Sequence, residues 1–251
     1  MLYLVQGLTV LLKMRVSLMH LIIQTGPLLS TTWGQGTGYN DFIPSGPLYC
    51  TGYSNYKPPV GCVAVSIAQV MNFHQLPTTY NWSAMPSNIG SSATSALMLD
   101  CAESVNTTYG CSGSSATTNA TDDALFGFGY TNAVVQAYSF EMAYNNIRFN
   151  YPVILAANEG LLVGGHQWVA DGVSIVQTFV CTNTGDGPIE PIYSRIPPPD
   201  ANYNWVNNYA AEYLYMNWGW YGVHNAWYSA YVWSVAGSDY DYGMKMVRSI
   251  N

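Results

Sequence analysis

Charge is scarce in this sequence. Of 251 residues only 8% are charged, with seven Lys and Arg against fourteen Asp and Glu, giving a net charge of −7. So few cations form no basic stripe able to neutralise a phosphate backbone, which argues against a nucleic-acid partner. There is no Gly-rich loop ending in Lys-Ser or Lys-Thr and no dinucleotide fingerprint after a strand, so nucleotide chemistry lacks its cradle. The five cysteines, at 50, 62, 101, 111 and 181, include no Cys-x-x-Cys pair, which disfavours a zinc ribbon or a thioredoxin-like motif. A long uninterrupted apolar run is also missing. Residues 1–25 are strongly apolar but broken by Lys13, Arg15 and His20, so no stable membrane anchor is expected. Those charges follow Leu12 instead of preceding the apolar run, a poor order for a signal peptide. Residues 1–25 therefore read as a leader or the remnant of a pro-segment, ahead of a domain at 26–251.

What is present is apolar and aromatic: 49% of residues are hydrophobic, with 21 Tyr, 8 Trp and 23 Gly. That composition suffices for one sizeable core or for two small lobes around a cleft. An odd cysteine count leaves one thiol over. In an exported chain, up to two disulfides among Cys50, Cys101, Cys111 and Cys181 would leave Cys62 free, with the pairing open.

Residues 26–60 are dense in Gly, Pro, Asn and Tyr and read as an extended, turn-rich lead-in. The pattern then changes. Cys62 to His74 contains no Gly or Pro and is apolar on nearly every side, as expected of a helix buried in the middle of a domain. Further helices are expected from about Ser95 to Ser104 and Thr121 to Leu125, with a small, polar loop between them. Strands are expected at Pro152–Ala156, Gln167–Ala170 and Glu212–Asn217. Helices first and strands later suggest an α+β fold. The polar stretch 173–211, with Pro197-Pro198-Pro199, reads as a surface insertion, and Asp171-Gly172 as a turn.

Thiol-based acyl transfer needs a thiolate, an imidazole, a group that orients the imidazole, and donors facing the developing oxyanion. Cys62, following Gly61, falls on the first turn of its helix, where unpaired amides and the helix dipole favour the thiolate. His166 lies in Gly164-Gly165-His166-Gln167-Trp168, whose glycines permit close approach of a substrate backbone. Asn217 ends a later strand. The order Cys, His, Asn is that of papain-like peptidases. However, Gly61-Cys62-Val63-Ala64 does not match the papain signature, and the Cys62-to-His166 interval is shorter than the papain range of roughly 130–150 residues. Taken alone, a buried cysteine is more often a small hydrophobe than a nucleophile. Trp218 and Trp220 could equally fill core, and His74 and His224 read as structural.

Five motifs in order give these residues their context. They are Gln35-Gly36 with Tyr39-Asn40; Gly61-Cys62-Val63-Ala64 with Ala68-Gln69-Val70-Met71 and His74; Tyr109-Gly110 with its Ser-rich loop and Phe128-Gly129-Tyr130; Gly164-Gly165-His166 with Asp171-Gly172; and Asn217-Trp218-Gly219-Trp220. Together they resemble the streptopain family of cysteine peptidases, over most of the chain from about Pro27.

The resemblance implies a papain-like two-lobed fold with a cleft between a helical and a β-rich lobe, and a secreted or cell-surface endopeptidase made as a zymogen. Protein or peptide substrates are the implied partners, with a pro-segment or protein inhibitor as a further one, and no metal or organic cofactor is implied. Carried onto this sequence, Cys62 is the nucleophile, His166 the base and then acid, Asn217 the group holding the imidazole, and Gln35 the oxyanion-hole side chain. Trp218 shields the His and Asn, while Ser114 and Gly165 bind substrate backbone, with Ser112 or Ser115 as alternatives to Ser114. A hydrophobic residue two positions before the scissile bond is the family-level expectation for the substrate.

The chain departs from the family in the 173–211 insertion, in the absence of a long pro-domain ahead of Gly26, and in Tyr221, where a glycine is usual. Cys111 places a second thiol in the substrate-wall loop. A reading of another class is a non-catalytic peptide- or glycan-binding protein on a peptidase scaffold.

Overall fold

The computed structural model describes residues 16–46, 49–161, 163–183 and 203–251. Chain contacts divide these into a large unit, 24–174 with 212–251, and a small one, 16–23 with 175–183 and 203–211. Every candidate site residue belongs to the large unit.

Helix α1 (Cys62–His74) starts where Gly61 adopts φ 102°, a conformation that side chains resist. No side chain caps its N-terminus, so the first-turn amides remain available to other acceptors. Helix α2 (Ser92–Ser104) begins earlier than its apolar pattern suggests, because Ser91 Oγ accepts from the Thr94 amide at 3.1 Å and fixes the first turn. Helix α3 (Thr121–Gly127) follows a single 3₁₀ turn at Thr118–Ala120. Helix α4 (Phe140–Arg148) is capped by Ser139.

The strands are β1 (Val16–Thr25), β2 (Val134–Ala137), β3 (Val153–Gly160), β4 (Val163–Asn183), β5 (Tyr203–Asn217), β6 (Ala226–Ser229), β7 (Ser234–Val235), β8 (Ser238–Asp239) and β9 (Tyr242–Arg248). One sheet runs in the order β2-β9-β3-β4-β5-β6, with β1 also paired to β4, while β7 and β8 form a separate small ribbon. The β2/β9, β3/β9, β3/β4 and β5/β6 pairs are antiparallel. Val63, Ile67, Val70 and Met71 of α1 and Leu97, Met98 and Cys101 of α2 share one core with Ile154, Val169 and Val247 of the sheet. Each large aliphatic side chain so buried contributes about 1.5–3 kcal/mol.

Two expectations change here, at 173–211 and at Asp171-Gly172. The 173–211 stretch is not loop throughout: β4 continues to Asn183 and β5 starts at Tyr203, while 184–202 lies outside the described residues. Residues 16–25 form β1, with 1–15 outside the described residues. Asp171-Gly172 makes no turn either. Both residues lie inside β4, where Asp171 is buried and its Oδ2 accepts from the Leu29 amide at 2.8 Å.

Candidate active site

Cys62, on the first turn of α1, and His166, on β4, line one cavity of about 380 Å³. The register of β3 with β4 places His166 opposite Ala157 and Gly165 opposite Asn158. A Cβ at position 165 would fall onto the Asn158 side chain, so glycine there keeps this wall intact.

The ring of His166 is buried and has an assigned direction. Its Nε2 lies 2.9 Å from the Trp218 carbonyl oxygen. A carbonyl only accepts, so Nε2 carries the proton in the neutral ring and Nδ1 is left bare as a proton acceptor. Four aromatic rings surround the imidazole: Trp220 at 4.7 Å between centroids, Trp168 and Tyr240 at 5.8 Å each, and Trp218 at 6.0 Å. Burial in this shell pushes the His166 pKa down to about 4, against the opposing pull of the Trp218 carbonyl. Burial likewise pushes the Cys62 thiol up, opposed by the backbone N–H groups of Gln167, Cys62 and Val63. Each group taken singly is therefore held neutral.

Asn217 sits one residue from the carbonyl that binds the histidine, and its own side chain is directed elsewhere. Its Nδ2 donates to the Thr31 carbonyl at 2.7 Å, and its Oδ1 accepts from Gln69 Nε2 and from the Gly219 amide, each at 3.3 Å. The hydrogen bond to the imidazole thus comes from the Trp218 backbone, and Asn217 pins the turn that presents it. Gln69 and Thr31, joined by a 3.1 Å hydrogen bond, complete this buried anchor. The motif Ala68-Gln69-Val70-Met71 gives Gln69 no role by itself. Its partners lie far away in the chain, so no local signal disclosed it.

Gln35 lines a second pocket with Pro59, Ser112, Gly113, Trp220 and Tyr221, and its carbonyl accepts from the Val60 amide at 2.8 Å, two residues before Cys62. Tyr221 adopts φ 58° and closes over this segment. Its hydroxyl accepts from the Gly36 amide at 2.7 Å, and its ring occupies the space where a Cβ of residue 34 would stand. Ser114 lines the main cavity, but its hydroxyl donates to the Pro59 carbonyl at 2.6 Å. That bond staples the loop to the start of α1. Trp218 is fully buried.

Cys111 is no second thiol: it is joined to Cys50 in a disulfide, whereas Cys101 is a buried free thiol beside Met71. Cys181 lies on β4, and its side chain is outside the described residues. Among the described residues, no helix is long and apolar enough to cross a membrane.

A sequence profile described as the Peptidase C10 family matches residues 33–79 and 77–228. A search of curated proteins finds no match. Among solved structures, the active wild-type interpain A cysteine protease of Prevotella intermedia superimposes with a TM-score of 0.65 at 22% identity, covering 90% of this chain and 95% of that one. A prointerpain A fragment from the same organism, in a cysteine-to-alanine mutant form, gives 0.62 at 21% identity, covering 90% and 72%. The likeness in structure supports the α+β fold, and the profile spans well over half of the chain, which belongs to the Peptidase C10 family, the streptopain family of cysteine peptidases.

Proposed function

We propose that the protein is a secreted endopeptidase acting on protein substrates through Cys62 and His166, in a cleft between two papain-like lobes. The observation that carries this reading is the pairing of an uncapped helix N-terminus bearing Cys62 with an imidazole whose Nε2 is tied back by the Trp218 carbonyl, in one cavity.

The cycle balances as follows. The Cys62 thiol gives its proton to His166 Nδ1, and the first-turn amides and the Gln167 amide support the thiolate. Because burial opposes either charge alone, the two ionise as a pair, each neutralising the other. The sulfur attacks the scissile carbonyl carbon, and the oxyanion is received by the Cys62 amide and the Gln35 side-chain amide, each worth about 3–4 kcal/mol. His166 then returns its proton to the leaving amine as the C–N bond breaks. Water, deprotonated by the same nitrogen, cleaves the thioester and restores the thiol. Gly165 and the Ser114 loop hold the substrate backbone, with Trp218 and Trp220 keeping water from the imidazole. A pro-segment is consistent with the prointerpain relative, and no metal or organic cofactor takes part in these steps.

The test is labelling with an epoxide inhibitor of papain-like enzymes under reducing conditions, mass mapping of the modified cysteine, and a casein cleavage assay. Modification of Cys62 with parallel loss of cleavage is expected, as is loss of cleavage in Cys62→Ala. Cleavage that survives Cys62→Ala defeats the proposal.

A further inference from the structure

The cavity beside Cys62 is poorly built for the large apolar side chain that the family resemblance implies. Its walls are small or polar: Thr117, Thr118, Asn119, Ala156, Asn158 and Gly243. Among the described residues no Leu, Ile, Met or Phe lines it, and Val63 is its largest aliphatic member. An apolar substrate group entering there would exchange water for hydroxyls, amides and backbone, and gain little.

Among the described residues one charged side chain lines the same cavity, and it is a cation. Lys245 lies on β9 opposite Ala156 of β3, so the two side chains share a face of the sheet and form one wall. Its Nζ donates to Asn119 Oδ1 at 2.8 Å, a group on the 3₁₀ turn Thr118–Ala120. Of the three ammonium donors, this accounts for one. No Asp or Glu lines the cavity, and among the described residues Lys245 has no carboxylate partner. The ammonium is thus held by an exposed neutral acceptor at the cavity's rim, with donors to spare toward the space beside the nucleophile.

We propose that Lys245 is a specificity-determining residue that selects an acidic side chain, Glu or Asp, in the substrate residue accommodated beside Cys62. This rests on the peptidase reading above. A carboxylate reaching Nζ forms a charge-assisted hydrogen bond, which exceeds a neutral one by enough to discriminate about tenfold. Asn119 acts as the positioning residue that stops the lysine from turning out to solvent.

The test uses fluorogenic peptides blocked at both ends, so that the side chain is the sole carboxylate, with Glu, Gln, Leu, Lys and Arg placed in turn at each of three residues before the cleavage site, and a parallel series that keeps a free C-terminal acid. At one position the wild type is expected to favour Glu over Gln by about tenfold in kcat/KM, with the preference shrinking as salt is raised. Lys245→Met levels it, Lys245→Arg retains it, and Lys245→Glu reverses it toward Lys and Arg peptides. Leu exceeding Glu in the wild type, or an undiminished preference in folded Lys245→Met, overturns the inference and leaves the peptidase reading standing. A preference seen only with free C-terminal acids overturns it in favour of terminal-carboxylate capture. Failure of every peptide, of casein cleavage and of epoxide labelling at Cys62 overturns both readings together.

Discussion

Removing one oxygen atom from Tyr221 tests how Gln35, the proposed oxyanion donor, is held. The Tyr221 hydroxyl is the acceptor for the Gly36 amide at 2.7 Å, and Gly36 is buried, so Tyr221→Phe leaves a buried donor without a partner. Such an orphan costs about 1–3 kcal/mol. The strain falls on the segment carrying Gln35, whose own carbonyl is tied to the Val60 amide while the next carbonyl, of Gly36, accepts from the Tyr39 and Asn40 amides. If half of a 2–3 kcal/mol penalty is relieved by letting Gln35 drift out of place, kcat falls about tenfold, since about 1.4 kcal/mol is one decade. KM should change little, because the donor acts on the oxyanion and not on the bound substrate. Tyr221→Gly should lose more, despite suiting the positive φ, because it also empties the ring's space over Gly34 and Gly36. Steady-state kinetics on one peptide, with circular dichroism to confirm folding, decide the matter. An unchanged kcat in Tyr221→Phe refutes the reasoning.

Three further outcomes follow from the geometry. The Cys50–Cys111 disulfide closes a loop with a sequence separation of 61, which on a chain-entropy basis contributes about 4 kcal/mol; the double serine variant should melt roughly 8–16 °C lower, and a shift under 2 °C would contradict this. Asp171 has its carboxyl pushed up to about 7 by burial, so below pH 4 both folded and unfolded forms are protonated and no penalty exists. As pH rises from about 4 to 7 the unfolded form ionises first and stability falls, by about 4 kcal/mol in all. Asp171→Asn should flatten that slope in urea titrations at pH 4.5 and 8, and an identical slope would exclude Asp171 as its source. Asn217→Ala strips partners from the Thr31 carbonyl, the Gln69 amide and the Gly219 amide, and should cost about 3 kcal/mol in urea unfolding together with kcat; a loss below 1 kcal/mol would show that the anchor is redundant.

The helix that carries Cys62 was legible because a glycine and a long apolar run are local signals, and they bounded α1 closely. Helix α4 also carried a local signal, a Ser139 cap followed by Phe140, Ala143 and Ile147 on one face, but its nine residues are so rich in polar and charged groups that they resemble the loops on either side. Strands β4 and β5 run well past the expected spans at 167–170 and 212–217, since 173–183 is rich in the β-branched and aromatic residues that favour a ladder, a signal masked by the polar, Pro-rich residues that follow it. At the site, the residue types could be named from motifs, but their wiring could not. Whether an imidazole faces the side chain of Asn217 or the backbone of Trp218 depends on one turn, and Asn217 has partners 148 and 186 residues away. The Lys245 ammonium was invisible for a similar reason. Nothing in β9 announces that its face closes a cavity lined from α1 and the 3₁₀ turn.

The aromatic shell around His166 has an optical consequence. Three indoles, of Trp168, Trp218 and Trp220, have centroids within 6.0 Å of the imidazole. Indole emission is quenched efficiently by a protonated imidazole in contact with it and only weakly by a neutral one. The molecule therefore carries a built-in reporter of the protonation state of His166, readable in the unlabelled protein and without any substrate.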